Sequence, residues 1–160
     1  MENFLDNEPV KRVEKLIKNF DSSQKILTLD YSARTAKDAS NSLNCDIGAI
    51  VKSLLIKVEK DFLICLVSGD KRCSLNKLKK ILKKKDIYMA RAEEVKEVTG
   101  FSIGGVAPIA HIKHLDILID SELNRFTNLY AAAGHPNCIF KINFEKLTRL
   151  TTGKVEELTE

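Results

Sequence analysis

Hydrophobic residues recur at two different periods along the chain. Val10, Val13, Ile17 and Phe20 follow a helical spacing, which predicts a helix from Pro9 to Phe20 with the proline in its first turn. Further along, the pattern changes to apolar runs rich in β-branched residues and leucine, as is typical of buried strands. The chain is therefore expected to combine helices with a sheet.

Two of the apolar runs form a predicted β-hairpin. AIVKSLLIKV spans residues 49–58, DFLICLVSG spans residues 61–69, and only two residues separate them. Alternation along the first strand places Lys52 on a face with large apolar neighbours and Ser53 on the opposite face. Lys52 therefore either extends to solvent along the apolar surface or points into a cavity, where its charge needs an anionic partner such as a phosphate.

Helices and strands are intermixed along the chain without a strict βαβ rhythm. Thr35 and Ser74 are placed to cap two helices, Gly100 ends a third, and a last helix begins near Asn143. Further strands are predicted at KILTLD, IYMA, LDILID, NLYAAAG and CIFKIN, and at least two strand pairs are antiparallel. The pattern predicts an α+β fold, with residues 1–160 forming a single domain in which helices surround a curved mixed sheet or partial barrel.

Composition narrows the class of protein. The chain has 160 residues, of which 44% are hydrophobic and 30% charged, and its net charge of +4 mildly favours an anionic partner. Its apolar runs are shorter than the roughly 18 residues that cross a membrane, and the acidic N-terminus lacks a secretion pattern. We therefore expect a cytoplasmic protein that does not interact with membranes.

The cysteines do not follow a metal-binding pattern. Cys45, Cys65, Cys73 and Cys138 include no CxxC pair, and no histidine lies at ligand spacing from them, so neither a metal nor another cofactor is expected. Cys138 follows His135 closely, which leaves two interpretations: a nucleophilic thiol or a packed one.

The segment GFSIGGVAPIAH, Gly100 to His111, concentrates backbone freedom in one loop. It holds three of the seven glycines and one of the three prolines, but it lacks the lysine of a P-loop and the helix entry of a Rossmann turn. Gly104, Gly105 and Pro108 permit two interpretations. They form either a tight turn between elements, or a loop whose successive N–H groups bind one anionic or carbonyl oxygen.

Two further groups of polar residues are candidates for function. His135 lies in AAAGHPN and is either a general base, a hydrogen-bond donor or a structural residue. The segment SLNKLKKILKKKD carries six lysines opposite a leucine stripe, which is typical of a solvated helix face and also of a surface that attracts an RNA backbone. Lys71 and Arg72 form a second basic pair.

These segments together resemble a known family. IVKSLLIK, SGDKR, EEVKEVTGFSIGGVAPIAH, ILID and AAAGHPN are similar, in this order, to the YbaK family, also called the prolyl-tRNA-synthetase-associated editing domain, from about Arg34 to the last helix. The resemblance implies a trans-editing deacylase that hydrolyses tRNA wrongly charged with alanine, serine, threonine or cysteine, often tRNA(Pro). YSARTA and AGHPN are similar to its stand-alone ProXp-type branch.

The resemblance also implies roles for particular residues. The family's functional lysine corresponds to Lys52, and its GxxxP loop corresponds to the segment from Gly104 to Pro108, which includes Gly105. Residues expected to bind the substrate are Ser53, Val106, Ala107, His135 and Asn137. The basic segments themselves, and not the resemblance, give the residues expected to bind the tRNA backbone: Lys71, Arg72, Lys79 and Lys83.

Ester hydrolysis by water needs positioning and stabilisation of an oxyanion more than a strong nucleophile. We expect N–H groups from Gly104 to Ala107 around the aminoacyl carbonyl, Lys52 on a phosphate or on the carbonyl, and His135 closing the pocket. The expected partners are the acceptor end of mischarged tRNA and an aminoacyl-tRNA synthetase. Two alternatives remain: a module that binds aminoacyl-tRNA or a synthetase without cleavage, and a hydrolase of small acyl esters or amides.

Overall fold

A computed structural model describes residues 3–30 and 34–160 of the chain. Part of the expected YSARTA element, residues 31–33, lies outside the described residues. The helices are α1 Glu8–Phe20, α2 Ala36–Leu43, α3 Leu75–Leu82, α4 Ala92–Thr99 and α5 Phe144–Thr151. The strands are β1 Leu27–Thr28, β2 Ile50–Val58, β3 Asp61–Ser68, β4 Ile87–Met89, β5 Asp116–Asp120, β6 Leu129–Ala132, β7 Cys138–Ile142 and β8 Lys154–Glu156.

Helix ends follow the capping signals of the sequence. The side chains of Thr35, Ser74 and Asn143 each accept a hydrogen bond from a backbone N–H in the first turn of α2, α3 and α5. Gly100, with φ of 80°, ends α4 in the left-handed conformation that glycine adopts without steric cost. The predicted helices are therefore confirmed at their ends as well as in their interiors.

The strands form one mixed sheet in the order β1-β7-β6-β2-β3-β5-β8, and β4 also pairs with β2. β2 and β3 form the predicted antiparallel hairpin, with Val58 opposite Asp61. Three pairs are parallel: β2 with β6, β3 with β5, and β5 with β8. The α+β prediction with a mixed sheet is confirmed.

The backbone groups of β2 point alternately at its two neighbours. Gly69 N–H donates to Ile50 O at 2.8 Å in the ladder with β3. Because ladder bonds alternate in an antiparallel pair, the N–H and C=O groups of Val51, Ser53 and Leu55 point at the opposite edge of β2.

That opposite edge has two partners with a gap between them. β6 pairs with β2 only at Ile50 and Val51, while β4 pairs from Ile56 onward and Ala90 N–H donates to Leu55 O at 3.0 Å. Among the described strands, none lies opposite the backbone of Ser53. The sheet is thus open at this one point of a central strand.

Helices cover both faces of the sheet. α1, α4 and α5 pack on the face that carries Val51 and Leu55, whereas α3 packs on the opposite face with Ile56. α2 packs beside Ile50. In the described part of the chain, no helix combines the length and the apolar character that crossing a bilayer requires.

The short segment 158–160, which we call the strap, bonds to the end of β5. Asp120, only 1% exposed at the end of β5, accepts hydrogen bonds from Leu158 N–H at 2.7 Å and from the Thr159 hydroxyl at 2.9 Å. The strap in turn bonds to the segment before α3, because Ser74 N–H donates to Leu158 O and Glu160 N–H donates to Arg72 O. Asp120 therefore joins the sheet to the segment that precedes α3.

Replacing Asp120 by alanine removes both acceptors and leaves the Leu158 N–H and the Thr159 hydroxyl buried without partners. Hydrogen bonds to charged groups contribute about 1.5–3 kcal/mol each, so we expect Asp120→Ala to lower the free energy of unfolding by about 3 kcal/mol in urea denaturation. Asp116→Ala, at the exposed start of the same strand, is the control and should change it by less than about 0.5 kcal/mol. A loss below about 1 kcal/mol for Asp120→Ala would contradict this role of the strap.

Candidate functional site

A cavity of about 550 Å³ lies at the gap in the edge of β2. Lys52 and Ser53 form part of its wall from β2, and Gly104 and Val106 form another part from the glycine-rich loop. Ala90, which follows β4, and Pro136, which precedes β7, also line the cavity. The split edge of the sheet and the glycine-rich loop that the sequence singled out therefore face the same space.

Lys52 is half-buried at this wall, and its ammonium group has one protein partner among the described residues. Its Nζ donates to Lys71 O at 2.6 Å. Burial lowers the pKa of Lys52, while the nearby Cys73 and Asp70 act in the opposite direction and the neighbouring Arg72 adds to the lowering. A lysine ammonium has three N–H donors, so two remain after the bond to the carbonyl.

The carboxylate that acts on the pKa of Lys52 is engaged elsewhere. Asp70 accepts two hydrogen bonds from the guanidinium of Arg125, at 2.7 and 3.0 Å, and this pairing lowers the pKa of Asp70. Lys52 is thus not neutralised by a direct carboxylate contact among the described residues, and its charge remains available to a ligand.

Ser53 presents three polar groups to the gap. Its backbone N–H and C=O point at the open edge of β2, and its Oγ is buried with no hydrogen-bond partner in the described part of the chain. Such an orphaned buried hydroxyl requires an explanation, because most buried polar atoms in proteins are paired. Ser53 is one of the residues that line the cavity, so its unpaired hydroxyl lies at or just behind the cavity wall.

The two glycines of the loop are required for different reasons. Gly104 has φ of +94°, and an added Cβ would lie 3.0–3.2 Å from Arg34. Gly105 has an ordinary φ, but a Cβ there would lie 3.0 Å from the backbone of His135. The loop and the segment around His135 are thus in close backbone contact, which a larger residue would push apart.

The loop offers fewer N–H donors than its sequence suggests. Gly105 N–H donates to Ser102 O at 2.9 Å and closes a turn within the loop. The N–H groups of Gly104 and Val106 have no acceptor within the described residues, and both residues line the cavity. Ile103 N–H also has no acceptor among the described residues, and Ile103 also lines the cavity, so three loop N–H groups can serve a ligand at this wall.

The rest of the GxxxP segment supports the loop from the core. Ala107 and Pro108 are buried, and Ala107 O accepts a hydrogen bond of 2.8 Å from His111 Nε2. Burial lowers the pKa of His111, partly opposed by this bond, so the neutral imidazole with its proton on Nε2 is favoured. His111 thus fixes the exit of the loop.

His135 lies in a neighbouring groove of about 480 Å³, which shares Arg34, Ile103 and Pro136 with the cavity. Its ring stacks on Phe4 at 4.4 Å between centroids, and its Nδ1 accepts a hydrogen bond from Asn137 N–H at 3.0 Å. The ring therefore faces the groove beside the loop. The expectation that His135 closes the substrate pocket stays a prediction.

Asn137 links two strands. Its side-chain amide donates to Leu29 O at 3.0 Å, and its own carbonyl accepts from Leu29 N–H at 2.7 Å. These bonds hold the end of β1 against the turn before β7. The contacts of Asn137 are thus structural in this state of the molecule.

The basic residues fall into two locations. Lys71 and Arg72 lie in the segment before α3, beside the ammonium of Lys52. Lys79 belongs to α3, and Lys83 caps the end of that helix in an exposed position. The first pair is next to the cavity, while the second follows the helix that packs on the far face of the sheet from α1.

Many residues of the cavity wall were not identified from the sequence as candidates, and three of them are notable. Arg34 lines both the cavity and the groove, and Met89 and Ile103 are apolar wall residues that are 48% and 59% exposed. Which apolar side chains are exposed depends on the tertiary structure and cannot be determined from the sequence. Among these three residues, only Arg34 had a signal in the sequence, as the basic residue of the YSARTA segment.

Comparison with known proteins agrees with this geometry. A family model described as an aminoacyl-tRNA editing domain matches residues 30–150. A proline–tRNA ligase of Caldicellulosiruptor saccharolyticus is 30% identical over 122 residues, which are 76% of this chain. The chain spans only about a fifth of the length of that ligase.

Two proteins of similar length also match. The uncharacterised protein YwhH of Bacillus subtilis is 26% identical over 91% of this chain and 93% of its own. A crystal structure of a candidate trans-editing enzyme for prolyl-tRNA synthetase is 34% identical, covers 96% of this chain and 98% of its own, and superposes with a TM-score of 0.89. The YbaK-type resemblance is confirmed, and the chain belongs to the aminoacyl-tRNA editing domain family.

Proposed function

We propose that the protein is a trans-editing hydrolase that deacylates tRNA mischarged with alanine, serine, threonine or cysteine, and that tRNA(Pro) is its main acceptor. The observation that carries this proposal is the convergence of Lys52, the unpartnered Ser53 and the free loop N–H groups on one cavity. The similarity to a domain within proline–tRNA ligases and to a candidate trans-editing enzyme for prolyl-tRNA synthetase supports the choice of tRNA(Pro).

In the proposed reaction, water attacks the carbonyl carbon of the aminoacyl ester. The carbonyl oxygen accepts hydrogen bonds from the N–H groups of Gly104 and Val106, which stabilise the negative charge that develops on it. The bond to the ribose oxygen then breaks, which releases the free amino acid and the tRNA with its terminal hydroxyl restored. A hydroxyl of the terminal ribose helps to position the water.

Lys52 supplies the positive charge of the site. Its two remaining N–H donors bind the phosphate of the terminal adenosine or the substrate carbonyl, at a half-buried position where electrostatic interactions are stronger than in bulk water. Lys71 and Arg72 lie next to it and attract the phosphates of the acceptor end, while Lys79 and Lys83 extend the positive surface along α3. A synthetase that delivers the tRNA is a further proposed partner.

One observation favours a second candidate function. Within the described residues, the wall of the cavity includes no carboxylate and no imidazole that could act as a general base. A module that binds aminoacyl-tRNA, or a synthetase, without cleaving the ester would need no such group. The two functions share the fold and the basic surface, so only a measurement of deacylation separates them.

The experiment that tests the proposal is a deacylation panel. Purified protein is mixed with Ala-, Ser-, Thr- and Cys-tRNA(Pro), and with Ser- and Ala-tRNA(Thr), and the release of the amino acid is followed over time. Activity on at least one substrate, weakening steeply as salt rises, supports the proposal because phosphate contacts are salt-dependent. Salt-insensitive activity on small esters would favour a general esterase, and inactivity on every charged tRNA would favour the binding module.

Lys52→Ala should abolish most of the deacylation while tRNA binding is largely retained. Loss of one electrostatic donor at a developing oxyanion typically lowers kcat by about 100-fold or more. The control is Lys57→Ala, which removes a lysine of the same strand that pairs with Glu94 at 3.1 Å outside the cavity wall. Single-turnover kinetics and a filter-binding assay separate the two effects, and an active Lys52→Ala protein would exclude the proposed role.

Ser53→Ala should lower deacylation by about 10-fold without loss of stability. The substitution removes a buried hydroxyl that has no protein partner, so the free energy of unfolding should stay the same or rise by about 1 kcal/mol. The matched control is Ser68→Ala, which removes the other buried unpartnered hydroxyl of the described residues. Ser68 lies on β3 outside the cavity wall, so its variant should keep full activity; equal activity of both variants would show that Ser53 Oγ does not contact substrate.

A further inference from the structure

The guanidinium of Arg12 contacts both ends of the glycine-rich loop. Its Nε donates to Ala110 O at 2.7 Å, and its Nη2 donates to Thr99 O at 3.2 Å. Thr99 is the last residue of α4, and Ala110 is the last loop residue before His111. One planar side chain thus spans the whole loop at its base.

Two further contacts hold the guanidinium in this orientation. It lies over the ring of Phe101 at 4.7 Å from the centroid, and its Nη1 pairs with the Glu8 carboxylate at 2.8 Å. Phe101 is fully buried inside the loop. Each guanidinium nitrogen and one face of the group therefore have a partner, which restricts the side chain.

Arg12 belongs to α1, which lies outside residues 30–150, the part that the family model matches. The helix is fixed in the core by Val10, Val13 and Ile17, all of which are completely buried. α1 is therefore held firmly in the core, and it places the Arg12 guanidinium at the base of the glycine-rich loop. Ala110 is held at a φ of +67°, which a residue with a β-carbon adopts only under constraint.

The loop needs such a constraint if its backbone acts on a ligand. Gly104 and Val106 lie between the two carbonyls that Arg12 binds, and their N–H groups have no protein acceptor of their own among the described residues. Glycine lowers the cost of moving such a segment, and a displacement of about 1 Å at a reacting group can reduce a rate by about 100-fold. The loop would otherwise lose the geometry that oxyanion stabilisation requires.

We infer that Arg12 is a positioning residue for the deacylation, which holds the glycine-rich loop so that its N–H groups face the substrate carbonyl. This inference rests on the proposed function. It assigns a role in the site to α1, a helix that shares no side chain with the wall of the main cavity. Arg12 does not touch the substrate in this arrangement, and it acts through the loop alone.

The test compares Arg12→Ala with a closely matched control, Arg149→Ala. Arg149 lies over the ring of Phe20 at 5.4 Å and pairs with Glu145 at 3.3 Å four residues earlier in its helix, as Arg12 does with Glu8. The two arginines therefore share their helix-internal ion pair and their aromatic contact. Among the described contacts, only Arg12 adds bonds to the loop.

For Arg12→Ala we expect kcat for deacylation to fall about 10- to 100-fold while KM for the charged tRNA changes by less than about twofold. Hydrogen exchange of the segment 99–111 should accelerate, and exchange in β2 and β3 should stay unchanged. Guanidinium ion, added well below denaturing concentrations, should restore part of the rate. Arg149→Ala should match the wild type in all three measurements.

Arg12→Lys tests the same inference if Arg12→Ala fails to fold. It keeps the charge and the helix, but a point-like ammonium cannot reproduce the planar contact with two carbonyls, so kcat should still fall while the thermal midpoint stays close to that of the wild type. Full activity of Arg12→Ala, or equal acceleration of exchange throughout the chain, would overturn the inference. A wild-type protein inactive on every charged tRNA would overturn the proposed function instead. Unchanged exchange of segment 99–111 in Arg12→Ala would still overturn the positioning role of Arg12.

Discussion

The site depends on one constraint of the sheet: β2 has two partners along the same edge, and they do not meet. β6 ends its pairing at Val51, β4 begins its pairing at Ile56, and Ala90 after β4 bonds to Leu55. A central strand normally has both edges occupied along its length, because an unpaired buried N–H or C=O is costly. The interruption leaves backbone groups of Ser53 directed into a cavity, so a ligand in that cavity can complete the ladder.

A second requirement is a positive charge that is held in place but not neutralised. The position of Lys52 follows from a chain of hydrogen bonds that begins at the buried Asp120, passes through the strap to the segment before α3, and reaches Lys71 O. A carbonyl holds an ammonium without cancelling its charge, whereas a carboxylate would compete with a phosphate for the same group. The pairing of Asp70 with Arg125 serves the same end, since it withdraws the adjacent carboxylate.

The elements that could be predicted from the sequence are those that local periodicity determines. The hairpin of β2 and β3, the caps at Thr35 and Ser74, and the placement of Lys52 and Ser53 on opposite faces all follow from neighbours within a few residues. The gap at Ser53 could not be predicted, because it depends on where β4 and β6, which lie far along the chain, begin and end their pairing. The same holds for His135, whose ring position depends on Phe4, and for Arg12, whose helix showed only its apolar face in the pattern.

The unpartnered hydroxyl of Ser53 shows how the site connects stability with selectivity. Burying such a group costs about 1–3 kcal/mol, a sizeable part of the 5–15 kcal/mol that typically stabilises a domain, and an apolar residue would remove that cost. Nothing in the structure explains the equivalent cost at Ser68. Under the proposed function, a ligand that bonds to the Ser53 hydroxyl would remove this penalty, and one that fills the cavity without a polar group would leave it in place. An apolar wall alone distinguishes substrates that differ by one methylene by only about 1–3 kcal/mol. A buried polar group in that wall would therefore add discrimination that the shape of the cavity cannot supply.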